Sequence, residues 1–524
     1  MNEILTIEKI EKILYDRTVN DEFKTLKSIP APDSFKDMQK ATKRIVAAIQ
    51  NDETINLVGD YDVDGISSTT IMVEFFSALG VEINYIIPNR FEHGYGLSPK
   101  ILEQIYDGLV ITVDNGITAV EASEICKNRG LDLIITDHHT VGEKLPYAYA
   151  IVNPKQNDCG FPFSDICGAQ VAWYLCASIK KALNFDYNLM QLFDILALAI
   201  VADIMPMVSL NQTMVKAGLK ALQNSQRPAI IAIKQRYGLN TITEEDIGFK
   251  IAPLINCAGR MSDPSIALEF LLSYDIEEAN TQLDYLVELN EQRKQEQLQI
   301  FTESKMQVSI EDEVIVVASD SWNEGIIGIV ASKLCEKYKK PAFVFTIKGD
   351  IAKASSRSTS DTHLYNLIDS CKDLLIGFGG HKQAAGLSLK SKDLDEFKKL
   401  INLNIKQLPS EKEDSINNSL GTFLLDNVDG RVYNIVESYR PFGHSNPYPI
   451  FTFSNLKVLS VVKMGKNKEF TKLVVSNGSN SAEVVIFIDF DNVAVGDSIN
   501  FTATISKNEF RGEVKYNLMF KELL

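Results

Sequence analysis

The sequence lacks the cysteine patterns that bind zinc or form disulfides. Its seven cysteines are odd in number and scattered, and no Cys-x-x-Cys pair occurs. Structural zinc sites use closely spaced cysteine pairs, and small secreted proteins use even, regularly spaced sets. We therefore expect reduced thiols and a cytoplasmic protein.

Long hydrophobic runs are also missing. No apolar stretch approaches the roughly 18 residues that a membrane span requires. The first residues, Met-Asn-Glu-Ile-Leu-Thr-Ile-Glu-Lys, carry early acidic charges and lead into no apolar core, so they do not form a signal peptide. We expect no contact with a membrane.

Positive charge is scarce as well. The chain has 53 Lys and Arg against 69 Asp and Glu, a net charge of −16. Such a balance argues against nonspecific binding of nucleic acid by the whole surface. The deficit of positive charge lies in the first 455 residues, because basic and acidic residues nearly balance beyond Asn455.

The acidic excess includes a short loop with three carboxylates, Asp60, Asp62 and Asp64, which follows a buried strand and precedes a helix. Carboxylates this close repel one another, and a bound divalent cation is the usual remedy. The Asp-x-Asp-x-Asp-Gly pattern also begins an EF-hand loop, but Ile71 occupies the position where a bidentate Glu is required. A solvated acidic turn is the other ordinary interpretation of this stretch.

Alternation of short apolar strands and helices begins at Thr54. We predict strands at 55–59, 82–87, 109–114, 132–136 and 149–152, with helices at 66–79, 98–106 and 117–128 between them. This alternation favours a parallel sheet with helices on both faces. Ligands of such sheets bind beyond the carboxyl ends of the strands.

Polar residues follow three of these strands where they end. Asp60, Asp62 and Asp64 follow the first, Asp114 the third, and Asp137-His138-His139 the fourth. The chain has six histidines, and two of them are adjacent here. Asp114 could simply cap the next helix. Asp203 interrupts an apolar helical run, and a buried carboxylate needs a metal or a hydrogen-bond partner.

The chain has 524 residues, a length typical of about three domains. Beyond the first strands and helices, the sequence pattern changes again. We predict one long helix from Glu277 to about Met306, then a smaller α/β domain, then short strands from about Glu411 that suggest a barrel. We place a lead-in and the first α/β domain, which contains the candidate metal site, at 1–275, the bridging helix at 276–308, the second domain at 309–408 and the barrel at 409–524.

Four segments, Gly-Asp-Tyr-Asp-Val-Asp-Gly, Val-Asp-Asn-Gly, Asp-His-His and Val-Ala-Asp-Ile-Met-Pro, together resemble the motifs of the DHH phosphoesterase superfamily. Further segments are similar to those of its RecJ family of exonucleases, which act on single-stranded DNA from the 5′ end. These segments are Pro88–Gly96, Asn256–Arg260, Trp322–Ser332, Ser355–Ser358, Gly379–Gly386 and Pro441–Pro447. The resemblance covers the chain from about residue 35, except that Asn323 stands where the family has His.

The resemblance implies an α/β fold with a DHH domain, a smaller DHHA1 domain and an OB-fold. It also implies two divalent cations, Mn²⁺ or Mg²⁺, and a role in DNA repair and recombination. By motif position, the metal ligands are Asp62, Asp64, Asp114, His138 and Asp203. The other catalytic residues are Asp60 and Asp137, which orient these ligands, and His139, which faces the substrate phosphate or takes part in catalysis.

Further contacts follow from the same resemblance and from residue chemistry. A planar guanidinium grips phosphate oxygens in pairs. The expected partners of the DNA are Arg90, Arg260, Ser355, Arg357, Ser358 and His381. Lysines near Phe470 suit single-strand binding by charge and stacking, and they are Lys463, Lys466, Lys468 and Lys472. Their alternative role is a solvated hairpin.

Three rival functions remain open. A related DHH/DHHA1 phosphodiesterase would cleave short oligonucleotides or cyclic dinucleotides, and a pyrophosphatase would cleave a still smaller substrate. A catalytically inactive relative would serve as a replication scaffold. The barrel and the long helix favour the exonuclease, because a dinucleotide needs neither. We expect a monomer that acts with a single-strand-binding protein and a helicase.

Overall fold

The computed structural model describes residues 4–19, 21–359, 362–408, 419–465, 468, 470–487, 490, 492–510 and 512–524. Two helices precede the first sheet, α1 Ile7–Asp16 and α2 Met38–Gln50. The second of them packs against the first sheet through Met38, Ala41 and Ile45. The first helix belongs to a different core, which is described below.

The first unit is built on a parallel sheet of five strands in the order β2-β1-β3-β4-β5. The strands are β1 Ile55–Val58, β2 Asn84–Ile86, β3 Leu109–Val113, β4 Leu133–Thr136 and β5 Ala150–Val152. Helices α3 Val63–Ala78, α4 Pro99–Leu102 and α5 Val120–Arg129 connect them. Four of the strands are buried along their whole length, as expected when helices cover both faces. The predicted parallel sheet is confirmed.

A helical layer follows this sheet. Its members are α6 Gly168–Leu183, α7 Phe193–Ala202, α8 Ser209–Asn224, α9 Pro228–Tyr237, α10 Glu244–Asp246, α11 Ala252–Met261 and α12 Ser265–Leu272. A π-helical turn, Ile247–Ile251, joins α10 to α11. The predicted bridging helix is confirmed as α13 Ile276–Lys305, where the Asp275 carboxylate caps the N–H groups of Glu277 and Glu278.

The second unit has a mixed sheet in the order β6-β7-β8-β10-β9, in which the β6–β7 pair is parallel and the other pairs are antiparallel. Its elements are β6 Ile315–Ser319, α14 Ile327–Tyr338, β7 Ala342–Lys348, β8 Ile351–Arg357, α15 Leu364–Asp369, β9 Leu375–Gly380, β10 Ala384–Lys390 and α16 Leu394–Asn404. The sequence analysis did not predict the β9–β10 hairpin. Its glycine-rich strand has no apolar alternation of its own and is held by pairing with β10.

The third unit is a closed five-stranded barrel, as predicted. Strands run in the order β12-β13-β14-β16-β15, and β15 pairs back with β12. The elements are β11 Ser419–Thr422, α17 Gly430–Ser438, β12 Ile450–Met464, β13 Phe470–Ser476, β14 Ser481–Ile486, β15 Ser498–Phe510 and β16 Glu513–Leu523. Helix α1 buries Ile10 and Leu14 in the core of this unit.

Several hydrogen bonds join the barrel unit to the first unit. The Glu244 carboxylate accepts hydrogen bonds from Arg440 Nη1 (2.6 Å) and from the Phe442 N–H (2.9 Å). The Met207 N–H donates to the His444 carbonyl at 2.7 Å. Among the described residues, no helix is both long enough and apolar enough to cross a membrane.

Candidate active site

The carboxyl edge of the first sheet brings the predicted acids and histidines together. The Nε2 atom of His138, just beyond β4, lies 3.1 Å from Asp114 Oδ1, beyond β3. It also lies 3.5 Å from Asp64 Oδ2 and 3.7 Å from Asp203 Oδ2. Asp203 reaches the edge from the C-terminus of α7, so four separate segments meet around one imidazole.

The side chains at this edge form three overlapping groups whose ligand atoms lie within 4.8 Å of one another. The groups are Asp60 with Asp62 and Asp114, Asp64 with His138 and Asp203, and Asp114 with His138 and His139. Asp62 and Asp64 fall in different groups, and Asp114 belongs to two. Asp60 lies in the same group as Asp62 and Asp114, although the sequence analysis gave it a supporting role.

The electrostatics of the cluster favour bound positive charge. Burial, followed by the charges of neighbouring carboxylates, raises the pKa of Asp60 and Asp114 and raises that of Asp203 to about 8. In the part of the chain that the structure describes, Asp60 Oδ1, Asp114 Oδ1 and Asp203 Oδ2 are buried without a hydrogen-bond partner. Buried acceptors without donors are costly, and a cation would supply what they lack.

Asp137 orients the two histidines. Its Oδ1 accepts hydrogen bonds from the His138 N–H (2.7 Å), the His139 N–H (3.0 Å) and His139 Nδ1 (2.7 Å), and its Oδ2 accepts one from the Ile117 N–H. Burial lowers the pKa of His139, but the hydrogen bond and charge of Asp137 outweigh it and raise this pKa to about 9. Without bound cations, His139 is therefore protonated at neutral pH, and its side chain is 43% exposed.

Backbone groups hold Asp64 in place. Its carboxylate accepts hydrogen bonds from the Gly168 N–H (2.6 Å) and the Ala169 N–H (2.8 Å), at the N-terminus of α6. A side chain at Gly168 would lie 2.5 Å from Asp114 Cβ. The helix can therefore approach both acids only because this residue is glycine.

Asn115 ties the neighbouring loops together. Its side-chain amide donates to the carbonyls of Val58, Gly59 and Val113, and its oxygen accepts from the Leu97 N–H. The preceding residue, Asp114, has φ +62°, a left-handed conformation that Asp adopts more readily than most residues. The Val-Asp-Asn-Gly segment is thus a turn that aims one carboxylate into the cluster.

The three predicted arginines lie near this cluster. The Arg90 guanidinium lies over the Tyr61 ring at 4.4 Å. Arg260 donates to the Gly325 carbonyl at 3.1 Å, and Arg357 donates to the Ser356 carbonyl at 2.8 Å. Burial, with the charges of Arg90, Arg293 and Arg357, lowers the pKa of Arg260 to about 10, so these cations are close to one another. Guanidinium groups that repel one another at a buried site are stabilised by a bound anion, so this cluster indicates an anion-binding pocket.

Close backbone approach places this arginine pocket beside the acidic loop. A side chain at Gly259 would lie 2.7 Å from the Tyr61 carbonyl, and one at Gly325 would overlap the Arg260 carbonyl. Helix α11, the Asp60–Asp62 loop and the start of α14 therefore meet without intervening side chains. Ser355 lies at the same junction, because its hydroxyl would contact a side chain at Gly328.

The remaining predicted contacts are more dispersed. The Ser358 hydroxyl donates to the Thr362 carbonyl, and His381 is exposed in the turn between β9 and β10. Lys463 pairs in register with Thr471 and donates to the Phe490 carbonyl, whereas Lys472 pairs with Glu483. Successive strand residues alternate between faces, so Lys463 and Lys472 point to opposite sides of the hairpin. Lys468 is exposed in its turn, and Lys466 lies outside the described residues.

Several site residues were not identified from the sequence. They are Gly168, Asn115, Tyr95, whose hydroxyl lies 3.3 Å from His139 Nε2, and Arg293, which reaches the arginine pocket from α13. Asn115 and Tyr95 sit inside recognised motifs, so their position was a usable signal. Asn323 has a structural role here, because its side chain accepts from the Gly325 N–H and donates to Glu296.

Comparison with known proteins agrees with this architecture. Residues 54–200 match the DHH family N-terminal domain, 311–407 match the DHHA1 domain and 421–522 match the RecJ OB domain. The fold and the site thus define a protein of the DHH class with an attached OB domain.

Within that class the chain belongs to the RecJ family. It is 30% identical to the single-stranded-DNA-specific exonuclease RecJ of Dickeya dadantii, over 92% of this chain and 90% of that protein. It is 33% identical to the Bacillus subtilis RecJ over 94% of this chain, but spans only 64% of that relative. The crystal structure of RecJ from Thermus thermophilus in complex with Mn²⁺ superposes with a TM-score of 0.84 at 25% identity, covering 99% of this chain and 76% of that one.

Proposed function

We propose that this protein is a metal-dependent exonuclease that hydrolyses phosphodiester bonds of single-stranded DNA in the 5′→3′ direction. The observation that carries the proposal is the junction of two opposite charge clusters. Buried carboxylates and His138 line one side, and Arg90, Arg260 and Arg357 line the other, in direct backbone contact. The end of a DNA strand would place its scissile phosphate at the carboxylate side and its terminal phosphate at the arginine side.

The donor set fits two divalent cations. Carboxylate oxygens with one imidazole suit Mn²⁺ or Mg²⁺, and the unpartnered buried oxygens leave positions for them. Asp62 and Asp114, with Asp60, would hold one ion, and Asp64, His138 and Asp203 the other. When bound, two such ions supply a nucleophilic water at neutral pH and stabilise charge on the phosphoryl oxygens.

The chain's own residues position the substrate. Asp137 fixes the His139 ring and keeps it protonated, so His139 can donate a hydrogen bond to an oxygen of the scissile phosphate. The donor is Nε2, which lies 3.3 Å from the Tyr95 hydroxyl in the structure, and the phosphate oxygen would take the place of that hydroxyl. Asp64, held by the N-terminus of α6, keeps a fixed distance from His138.

The arginine pocket sets the polarity of degradation. Arg90, Arg260 and Arg357, with the Ser355 hydroxyl, offer convergent donors for a terminal 5′ phosphate. A 3′ end carries no such group in an ordinary strand, so it would not be held. Ser358 directly follows Arg357, and its N–H donates to the Gln383 carbonyl, close to the turn that carries His381. Both side chains would contact phosphates further along the strand.

The barrel offers further contacts for the DNA strand. Exposed Phe487 packs edge-on against Phe470 at 5.8 Å, near exposed Lys468. Aromatic rings beside cations hold single strands by stacking and charge. We further propose that the protein acts as a cytoplasmic monomer in DNA repair and recombination, with a single-strand-binding protein and a helicase as partners.

The proposal is tested with a panel of end-labelled substrates in Mn²⁺. Long single strands with a 5′ phosphate should be degraded to mononucleotides from the 5′ end, and blunt duplex should resist. Dinucleotides and cyclic dinucleotides should be poor substrates. Cleavage of those small substrates with survival of long strands would refute the exonuclease in favour of a short-oligonucleotide phosphodiesterase.

The Asp114→Ala variant completes this test. It should lose cleavage of every substrate, by about a thousandfold or more, because Asp114 contributes to two groups of ligands. Asp107→Ala is the matched control, since Asp107 precedes the same strand at the opposite edge of the sheet. Wild-type rates in Asp114→Ala would contradict the assigned metal site.

A further inference from the structure

Lysines gather around the ring of Phe301, outside the catalytic site. The ammonium groups of Lys305, Lys333 and Lys337 lie 5.2, 6.0 and 5.8 Å from the centre of that ring. Lys305 is the last residue of α13, and the other two lie one turn apart on α14. Two helices therefore bring three positive charges to one place on the surface.

These three cations have no counter-charge. In the part of the chain that the structure describes, no ion pair joins any of them to a carboxylate. A lysine in the last turn of a helix interacts favourably with the helix dipole, which accounts for Lys305 and Lys337. Lys333 lies one turn earlier on α14, so the dipole does not account for it. An uncompensated basic cluster is unexpected on a chain whose net charge is −16.

Exposed aliphatic side chains border the cations. Leu298, Lys305 and Met306 follow at helical spacing and share one face of α13, where Leu298 is 64% exposed and Met306 78%. Ile310, in the loop after this helix, is 85% exposed, and its carbonyl accepts a hydrogen bond from Lys340 Nζ at 2.7 Å. We call the three lysines around Phe301, that ring and these three aliphatic side chains the α13–α14 patch.

The patch is separate from the arginine pocket. Helix α14 starts where Gly325 and Gly328 make their close contacts with Arg260 and Ser355. At a rise of 1.5 Å per residue, the lysines of α14 lie roughly 9–15 Å further along the helix. A ligand on the patch would therefore leave the proposed phosphate site unoccupied.

We propose that the α13–α14 patch binds an acidic segment of a partner protein, in which apolar side chains are interspersed with carboxylates. The carboxylates supply the counter-charge that the lysines lack, and the apolar side chains cover Leu298, Met306 and Ile310. A nucleic acid fits this surface less well. The ammonium groups lie over the one aromatic ring, and the other apolar groups are aliphatic, so no free ring face is offered for a base to stack on.

The test is a titration of a fluorescent peptide, Asp-Leu-Asp-Asp-Phe-Asp-Leu, with the whole chain, followed by anisotropy. The wild-type protein should bind it with a Kd on the order of 10 μM, and rising salt should weaken the binding. The double variant Lys333→Glu with Lys337→Glu should lose about tenfold or more in affinity. Replacing the same two lysines with Gln should cause a smaller loss, because it adds no repulsion.

Controls separate a specific surface from overall charge. Lys390→Glu with Lys392→Glu makes the same change of charge at two other exposed lysines of the second unit. Lys390 pairs with Ile351 at the end of the sheet opposite to Lys340, so this double variant should bind the peptide as the wild-type protein does. Ile310→Ser should weaken binding by about threefold or more, because it removes an apolar contact.

The titration contains neither DNA nor metal, so its outcome does not depend on the proposed exonuclease function. Absence of peptide binding by the wild-type protein would overturn the proposal. An equal loss in the Lys390 and Lys392 variant would overturn it too, because the attraction would then be nonspecific. Cleavage of 5′-phosphorylated single strands should keep its wild-type kcat/KM when Lys333 and Lys337 are reversed. Slower cleavage with undiminished peptide binding would identify the patch as a DNA contact instead.

Discussion

At the scale of single residues, glycine decides how closely the metal-binding acids can approach. Gly168 opens α6, and its N–H donates to Asp64 at 2.6 Å while its α-carbon faces Asp114. A helix N-terminus stabilises a carboxylate through its free N–H groups and its dipole. One residue without a side chain therefore sets the separation of two proposed ligands.

Gly168→Ala should weaken divalent-cation binding by about 10- to 100-fold, the range found when groups that orient ligands are changed. The added methyl would lie 2.5 Å from Asp114 Cβ, so that carboxylate must shift. The measurement is Mn²⁺ affinity by calorimetry, with activity at saturating Mn²⁺ as a second readout. Gly142→Ala is the matched control, because its nearest contact would be an ordinary 3.9 Å. Equal affinities in the two variants would contradict this account of α6.

At the scale of elements, α10 joins the barrel to the first unit. Glu244 is 4% exposed and binds both Arg440 and the Phe442 N–H, while the adjacent Glu245 is 62% exposed and lies 3.5 Å from Arg440. The π-helical turn that carries Phe249 follows directly. The position of this turn therefore depends on a buried ion pair between two units.

Glu244→Gln should destabilise the docking of the barrel by about 2 kcal/mol, because it leaves Arg440 with less compensation at a mostly buried site. Glu245→Gln should change stability by less than about 0.5 kcal/mol, as expected of an exposed pair. Both variants are compared by thermal unfolding, which reports stability, and by limited proteolysis, which reports whether the barrel is released from the first unit. Identical protection in the two variants would show that the Glu244 contacts do not hold the units together.

At the scale of the whole molecule, the cluster of acids links stability to pH and to cations. Burial and the charges of Asp64 and Asp62 raise the pKa of Asp203 to about 8. Without cations, the folded chain therefore keeps a proton that the unfolded chain releases above about pH 4. The free energy of unfolding consequently falls as pH rises from about 4 to about 8 and then levels off.

Mn²⁺ should raise the unfolding temperature more at about pH 8 than at about pH 6, because protons compete with the cation for the same oxygens. At a hundredfold excess over Kd, the stabilisation is about 2.7 kcal/mol. Scanning calorimetry at matched ionic strength measures this difference, and Asp114→Ala should largely lose it. A larger shift at the lower pH would contradict the proposed linkage.

Much of this arrangement was predictable from the sequence, for a geometric reason. Parallel strands end at one edge, so Asp60, Asp114 and His138 had to meet once the alternation of strands and helices was recognised. Long-range pairing was not predictable. The β9–β10 hairpin, the N–H groups of α6 beneath Asp64 and the packing of α1 on the barrel depend on contacts between distant segments.

The lysines of the barrel hairpin show a different limit. Their nearness in sequence suggested one basic surface, yet the two-residue period of a strand sends Lys463 and Lys472 to opposite faces. The register that decides this was not apparent from the sequence. The left-handed backbone of Ile204, with φ +54°, was equally hidden, since its side chain would suit an ordinary helix.

The packing of α1 on the barrel has a consequence for the order of synthesis. Arg17, just after α1, hydrogen-bonds to Asn446, 429 positions away. At roughly 5–20 residues per second, the ribosome needs tens of seconds to make the strands that bury Ile10 and Leu14. During that interval the apolar face of α1 has no partner within this unit. The apolar face of α1 therefore stays without its core until the last strands of the barrel are made.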